Sequence, residues 1–395
     1  MELSELNPPP RLLLGPGPSN VHPRVYRAML APVIGYLDPA FLQLLSDTQV
    51  PLRAVFRTGN ELTLPISGTG SLGMEAAIYN VVEEGDTVIV CINGFFGSRM
   101  ADMARRCGAR VVTVEADWGR AIEVEQVEAA LRQHPGAKAV CIVHAETSTG
   151  VLQPLTDIAR LCREHGALVI VDAVTSLSGA PLEVDAWGLD VVYSATQKCL
   201  SAPPGMAPIT FGPRAVEAMQ RRREPCRSWY VDLTMLREYY GGPRRYHHTP
   251  PMSMLYALRE ALRLVLEEGL EERIARHRRH ASALWAGLEA MGLRLHVEDE
   301  SLRAPPLTTV RVPEGVDEAR LRQDLLERHG IEIGAGFGPL AGKVWRVGLM
   351  GYSSQPQNVL ALLHALEVEL WRQGCEVPRG AGVEAAARVL ASGDA

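Results

Sequence analysis

Lysine is scarce in this chain: of 40 basic residues, only Lys138, Lys198 and Lys343 are lysines. Chemistry that needs a primary amine therefore has three side-chain candidates besides the N-terminus. Lys198 lies in DVVYSATQKCLSAPPGMAPITF, just past an apolar run and ahead of the turn Pro203-Pro204-Gly205. The carboxyl edge of a parallel sheet, where such a lysine falls, is where open α/β folds bind ligands. Lys138, in HPGAKAV, sits at a turn before a strand and reads as surface, and Lys343 belongs to a later region. Asp172 ends the run ALVIVDAV, and the interval of 198 − 172 = 26 residues holds one crossover and one further strand. Its carboxylate is expected at the same edge.

A third feature is LPISGTGSLGMEAAIYNVV, residues 64–82: a strand, a glycine turn and the start of a helix. Glycines there let the backbone approach an anion, and a helix N-terminus presents free N–H groups. Gly68 to Gly73 spells the dinucleotide fingerprint G-x-G-x-x-G. An NAD-dependent oxidoreductase would also need a carboxylate at the end of the next strand, to hold the ribose. That strand, DTVIVCI, ends instead at Asn93-Gly94-Phe95-Phe96-Gly97. The glycine match alone does not separate a phosphate turn from an ordinary tight turn. An amine, a carboxylate, a phosphate turn and an aromatic ring together form the constellation for pyridoxal 5′-phosphate. Lys198 would make the imine to its aldehyde, while Asp172 would keep the pyridine nitrogen protonated and the ring an electron sink.

The elements that must position these groups are legible in the hydrophobic pattern. With 395 residues the chain suits one large and one smaller domain. From Pro51 onward, DTVIVCI, ARVVTVEA, KAVCIVHAE, ALVIVDAV, LDVVYSAT and APITFG are apolar on both faces and mostly separated by helical stretches. They predict a doubly wound, mostly parallel sheet sandwiched by helices. One long helical region then leads to LRLHV, LTTVRVP, IEIGAG and KVWRVGLMG, which predict a smaller α+β domain. The expected division is an N-terminal arm over 1–25, a large domain over 26–260, a small C-terminal domain over 261–375, and a loosely held Gly/Ala-rich tail over 376–395.

Apolar residues make up 47% and the formal charge is −6. This is ordinary globular composition, without the clustered positive surface that nucleic acid requires. The start lacks a basic region followed by a long apolar run, so no signal peptide or membrane span is expected, and the seven cysteines contain no C-x-x-C pair. A cytoplasmic protein with reduced thiols follows. His144-Ala145-Glu146 mimics the H-x-E of zinc deaminases without the P-C-x-x-C, and His247-His248 lacks further ligands, so no metal site is expected.

In chain order, LLLGPGPSNVHPRV, SGTGSLGMEAA, NGFFGSRM, HAETSTGVLQPL, VDAVTSLSGAPLEVD, SATQKCLSAPPG, YHHTPP and GKVWRVGLMG resemble the class V aminotransferases of fold type I. The likeness is strongest to the alanine–glyoxylate and serine–glyoxylate (serine–pyruvate) group. It implies a homodimer with active sites at the subunit interface and two-step transfer of an amino group from a small amino acid to glyoxylate. Residue by residue, it implies that Thr69, Gly70 and Ser71 meet the cofactor phosphate, with Gln197 and the second subunit's copies of Tyr246 and Thr249 completing the cup. Phe96 would stack on the pyridine face and Ser148 would sit near the ring hydroxyl. Arg346 would take the substrate carboxylate, which a guanidinium fork does better than an ammonium, and Gly17 and Tyr36 would lie on the substrate side. Alanine, serine and ureidoglycine all remain open as donors. A cysteine desulfurase of the same fold needs a mobile cysteine over the site, and ERHGIEIGAGFGPLAGK has none.

Overall fold

A computed structural model of the chain describes Leu3 and residues 5–392. Seven strands form the main sheet: β1 (Leu62–Ser67), β2 (Thr87–Ile92), β3 (Arg110–Glu115), β4 (Ala139–Val143), β5 (Leu168–Asp172), β6 (Val191–Tyr193) and β7 (Met206–Phe211). Their spatial order is β1-β7-β6-β5-β4-β2-β3. Each run is rich in β-branched residues, and β1, β4, β5 and β7 are buried along their whole length. That double-sided burial is why they read as continuous apolar stretches rather than alternating ones. Only β3, at the edge, has exposed ends.

Six of the strands run parallel, as the pattern predicts, and β7 does not: it pairs antiparallel with both β1 and β6. The reason is the link between β6 and β7. Residues 194–205 contain no helix, so they cannot make the crossover a parallel return requires. The chain turns back through the Lys198 segment instead. The carboxyl ends of β1, β2, β4, β5 and β6 and the start of β7 therefore meet at one edge.

The long helical region divides at Gly269 (φ +87°) into α1 (Met252–Glu268) and α2 (Leu270–Ala290). A hydrophobic cluster running from Phe41 to Val265 surrounds the main sheet. A second joins Leu14 to residues between Ala281 and Ala386. The second core packs against a three-stranded antiparallel sheet of Leu307–Arg311, Gly334–Ala335 and Val344–Gly348, the last in the centre. LRLHV contributes only a single bridge, Leu295 to Val310.

Segments near both termini, Leu12–Leu13 and Ala381–Ala391, are built into this second core. Leu12–Leu13 pairs in parallel with Ile331–Glu332. Ala381–Ala391, in the stretch expected to be a loose tail, is a helix packed on α2. Small residues explain the difference: Gly382 and Gly287 let the two helices approach so closely that a Cβ on Gly287 would lie 2.8 Å from the Gly382 carbonyl and 2.4 Å from Leu363 Cδ1. A sequence poor in large apolar residues looks weakly held, yet its smallness is what permits the contact. Gly287→Val is expected to overpack this junction by about 1–3 kcal/mol and lower the melting temperature; an unchanged melting curve would refute the close packing.

Candidate active site

Lys198 is 8% exposed. The arm fixes its surroundings: the Lys198 ammonium donates to the Pro16 carbonyl, the Ser19 amide donates to Gln197 O (2.9 Å), and Ser19 Oγ donates to Lys198 O (2.8 Å). Gly17 at φ +103° is required here, since a Cβ would stand 2.7 Å from both Cδ and Nζ of the lysine. From the other side, Arg273 donates to Cys199 O (2.6 Å) and Tyr352 N–H to Ser201 Oγ (2.7 Å).

Burial pushes the Lys198 amine down to about 8, and the field of Arg346 adds to the effect. Asp172, at the end of β5, opposes it. This carboxylate is buried and accepts the Val174 amide (2.8 Å) and the Tyr193 hydroxyl (2.7 Å). Desolvation raises its pKa, while these two donors and the charges of Lys198 and Arg99 pull it back. Tyr193 is itself pushed far up by burial beside that carboxylate, so it stays a donor.

A second buried carboxylate, Glu146, lies in the turn after β4. It accepts Ser148 Oγ (2.6 Å), Ser148 N (3.0 Å), Phe96 N (3.1 Å) and Gly97 N (3.2 Å). The last two are first-turn amides of the helix Phe95–Arg106, where a negative group is favoured. Glu146 thereby locks Phe96 and Ser148 to one another, and Ser148 Oγ also accepts the Phe95 amide (2.9 Å). His144, one strand residue away, bonds Ser176 (2.9 Å) and is pushed down to about 3 by burial, so it is neutral. Among the described residues no group of His, Cys, Asp and Glu is arranged to hold a metal.

At β1 the glycines have a packing role. A Cβ on Gly70 would meet Ala195 Cβ at 3.0 Å and Val174 Cγ2 at 3.1 Å, and one on Gly73 would meet Ala207 Cβ at 3.1 Å. They seat the helix Gly70–Tyr79 directly on the lysine strands. Thr69, its N-cap, is exposed and makes no side-chain capping bond. Its hydroxyl and the Gly70 and Ser71 amides remain available to a ligand. Gln197 Oε1 is buried without a partner.

Arg346 sits in the central strand Val344–Gly348 of the small sheet. Trp345 and Val347 face the second core, so period-two alternation turns Arg346 to the opposite side. There it donates to Ala335 O (2.6 Å) and Thr147 O (3.1 Å), spanning both sheets, and its guanidinium lies 3.9 Å from the Phe337 ring centroid. Burial lowers it to about 10, which leaves it charged at neutral pH.

Lys198, Asp172, Phe96, Ser148, Gln197, Gly17, Arg346 and the Thr69–Ser71 turn thus surround one sheet edge. Among the described residues Tyr36, Tyr246 and Thr249 share no hydrogen bond with them. Tyr246 is about half exposed, packs on Tyr36 (4.6 Å between rings) and shares a hydroxyl contact with Thr249 (3.3 Å). Sequence reading missed Arg99, which donates to Ser71 Oγ (3.1 Å), and missed the role of Tyr193. The first was detectable as a cation three residues after Phe96 on one helical face; the second needed the strand register. Cys199, beside the lysine, is buried, its thiol donates to Thr175 O (3.2 Å), and burial pushes it up to about 12. It is therefore no nucleophile.

The fold thus brings a buried amine, the Asp172 carboxylate and the Arg346 guanidinium to one sheet edge. The chain belongs to the class V aminotransferase family, whose profile matches residues 37–357. It is similar to the solved alanine–glyoxylate aminotransferase of Nostoc sp., at 50% identity over 94% of this chain and 98% of that one, with a TM-score of 0.92. The ureidoglycine–glyoxylate aminotransferase of Bacillus subtilis matches at 45% identity over 98% and 99%, with a TM-score of 0.95. The alanine–glyoxylate aminotransferase of Callithrix jacchus is 43% identical over 93% of this chain and 89% of its own length. Among the described residues no helix is long and apolar enough to cross a membrane.

Because burial and Arg346 both disfavour the ammonium, amine-selective labelling of Lys198 in dialysed protein is expected to rise through pH 8, well below the 10.5 of a solvated lysine. Arg346→Gln removes one cause and should move that midpoint upward. A midpoint near 10.5 in the parent chain would contradict the buried, weakly basic amine.

Proposed function

We propose that this chain is a pyridoxal 5′-phosphate-dependent transaminase that passes the amino group of a small amino acid, alanine or serine, to glyoxylate. The carrying observation is the Lys198 amine, 8% exposed and lowered to about 8, beside a buried Asp172 and within the field of Arg346. The cofactor suits the residues present. Thr69 and the helix N-terminus offer unengaged donors, and the partnerless Gln197 amide can turn its N–H outward. Asp172 accepts two hydrogen bonds, which leaves room on its carboxylate for a pyridinium N–H. When bound, the cofactor exchanges its aldehyde between lysine and substrate amine and takes up the electron pair left at the α-carbon.

The chain's own groups then have distinct tasks. Lys198 Nζ, neutral above about pH 8, would take the substrate α-proton and deliver it to the carbon that carried the cofactor's aldehyde, and the acceptor half-reaction would run the same transfer in reverse. Asp172, whose desolvation the Tyr193 and Val174 donors offset in part, would accept the pyridinium N–H. Arg346 has spent two N–H groups on Ala335 and Thr147, so part of its fork remains for a carboxylate. Phe96, fixed through Glu146, gives the ring a flat apolar face. In this reading a second copy of the chain covers the Tyr36–Tyr246 patch and brings its own Tyr246 and Thr249 to the phosphate end; their exposure supports it.

Similarity to the Bacillus subtilis enzyme over nearly the full length supports ureidoglycine as the alternative donor. Borohydride reduction in the presence of pyridoxal phosphate, followed by peptide mapping, is expected to fix the cofactor at position 198. An unlabelled Lys198 would end the proposal. A screen of alanine, serine and ureidoglycine against glyoxylate and pyruvate identifies the pair. Arg346→Gln should raise KM for donor and acceptor by roughly 10- to 100-fold, as loss of a charge-assisted carboxylate contact implies.

A further inference from the structure

The phosphate cup assigned above contains no cation. Thr69, Gly70, Ser71, Gln197, Tyr246 and Thr249 are all neutral, and a helix N-terminus supplies only about half a charge. A phosphate ester near neutral pH carries nearly two negative charges. With three lysines in the chain and Lys198 committed to the amine chemistry, the countercharge must come from an arginine.

Arg99 is placed to supply it. It lies one turn into the helix Phe95–Arg106 and is partly buried. Its guanidinium rests 4.9 Å from the Phe96 ring centroid and 5.1 Å from that of Phe95. Between those rings and the neighbouring helix it makes one side-chain hydrogen bond among the described residues, from Nη1 to Ser71 Oγ at 3.1 Å. Ser71 is in the first turn of the helix that Thr69 caps, so the guanidinium stands at the same N-terminus as the free Thr69 hydroxyl. A guanidinium has five N–H donors, so most of those on Arg99 are unspent. Many surface arginines of this chain find a carboxylate three or four residues away. Arg99 instead sits against a hydroxyl and two rings.

We infer that Arg99 is the cation of the phosphate cup: clamped between Ser71 and Phe96, it recognises the phosphate ester of the cofactor and not its ring. This rests on the pyridoxal phosphate reading. It also explains why Ser71 serves at this turn, since a small hydroxyl orients the guanidinium without filling the space in front of it.

Equilibrium binding to cofactor-free protein tests this, with two probes that differ only in the phosphate: pyridoxal 5′-phosphate and pyridoxal, each followed by absorbance and tryptophan quenching. Arg99→Gln is expected to weaken the phosphorylated probe about 10- to 100-fold, the range of a charge-assisted hydrogen bond. Pyridoxal should bind within about twofold of the parent protein, and retained pyridoxal binding also reports an intact fold. Arg99→Lys, which restores the charge without the planar fork, should recover part of the loss. Equal weakening of both probes would mean that Arg99 only packs on Phe96, and an unchanged affinity for the phosphorylated probe would mean that it does not meet the phosphate; either overturns the inference. If the parent chain binds no pyridoxal phosphate at all, the cofactor reading falls and Arg99 falls with it. If the parent binds and Arg99→Gln binds equally well, only Arg99 falls.

Discussion

The seating of one amine in a place where water is scarce governs the rest of this structure. A lysine in solvent is an ammonium with no use as a base at neutral pH, and its desolvation is what brings the neutral form within reach. Desolvation alone would expel the side chain, so the site balances it with the Pro16 carbonyl and the Asp172 carboxylate, while Arg346 shifts the balance toward the neutral amine. Asp172 and Arg346 are themselves buried and held by their own hydrogen bonds.

That balance depends on elements far apart in the chain. The arm pairs with Ile331–Glu332, runs beside the small sheet, and reaches the lysine with Pro16 and Gly17. Arg346 comes from the centre of the small sheet and grips the Thr147 carbonyl of the turn after β4. The turn that carries Lys198 joins β6 to β7, which reverses direction instead of crossing over. A shift of either core relative to the other would therefore be felt at the amine through Arg346, which spans both.

Three rings lie in a row between two cations beside the site. Arg346 lies over Phe337, Phe337 contacts Phe95 (5.0 Å), Phe95 meets Phe96 edge-on (5.6 Å), and Arg99 covers both. The two guanidiniums are thus kept apart by apolar faces that attract them individually. Such a row gives two positive points with apolar surface between them.

The sequence by itself determined what depends on local pattern and residue chemistry. Strand runs buried on both faces gave the sheet, a shortage of lysine singled out Lys198, and strand-end positions placed Asp172 and the Thr69–Ser71 turn. The tertiary structure decided what depends on partners distant in sequence. No periodicity announces that β7 turns back, that Gly17 must lack a Cβ because Lys198 lies against it, or that the Gly/Ala-rich end is a packed helix. Tyr193 becomes the donor to Asp172 only through the register of β5 and β6, and Arg99 reaches Ser71 only because two helices begin at the same sheet edge. Hydrogen bonds and electric fields act over a few ångströms of space, whereas sequence pattern reports a residue's own element and the face it buries.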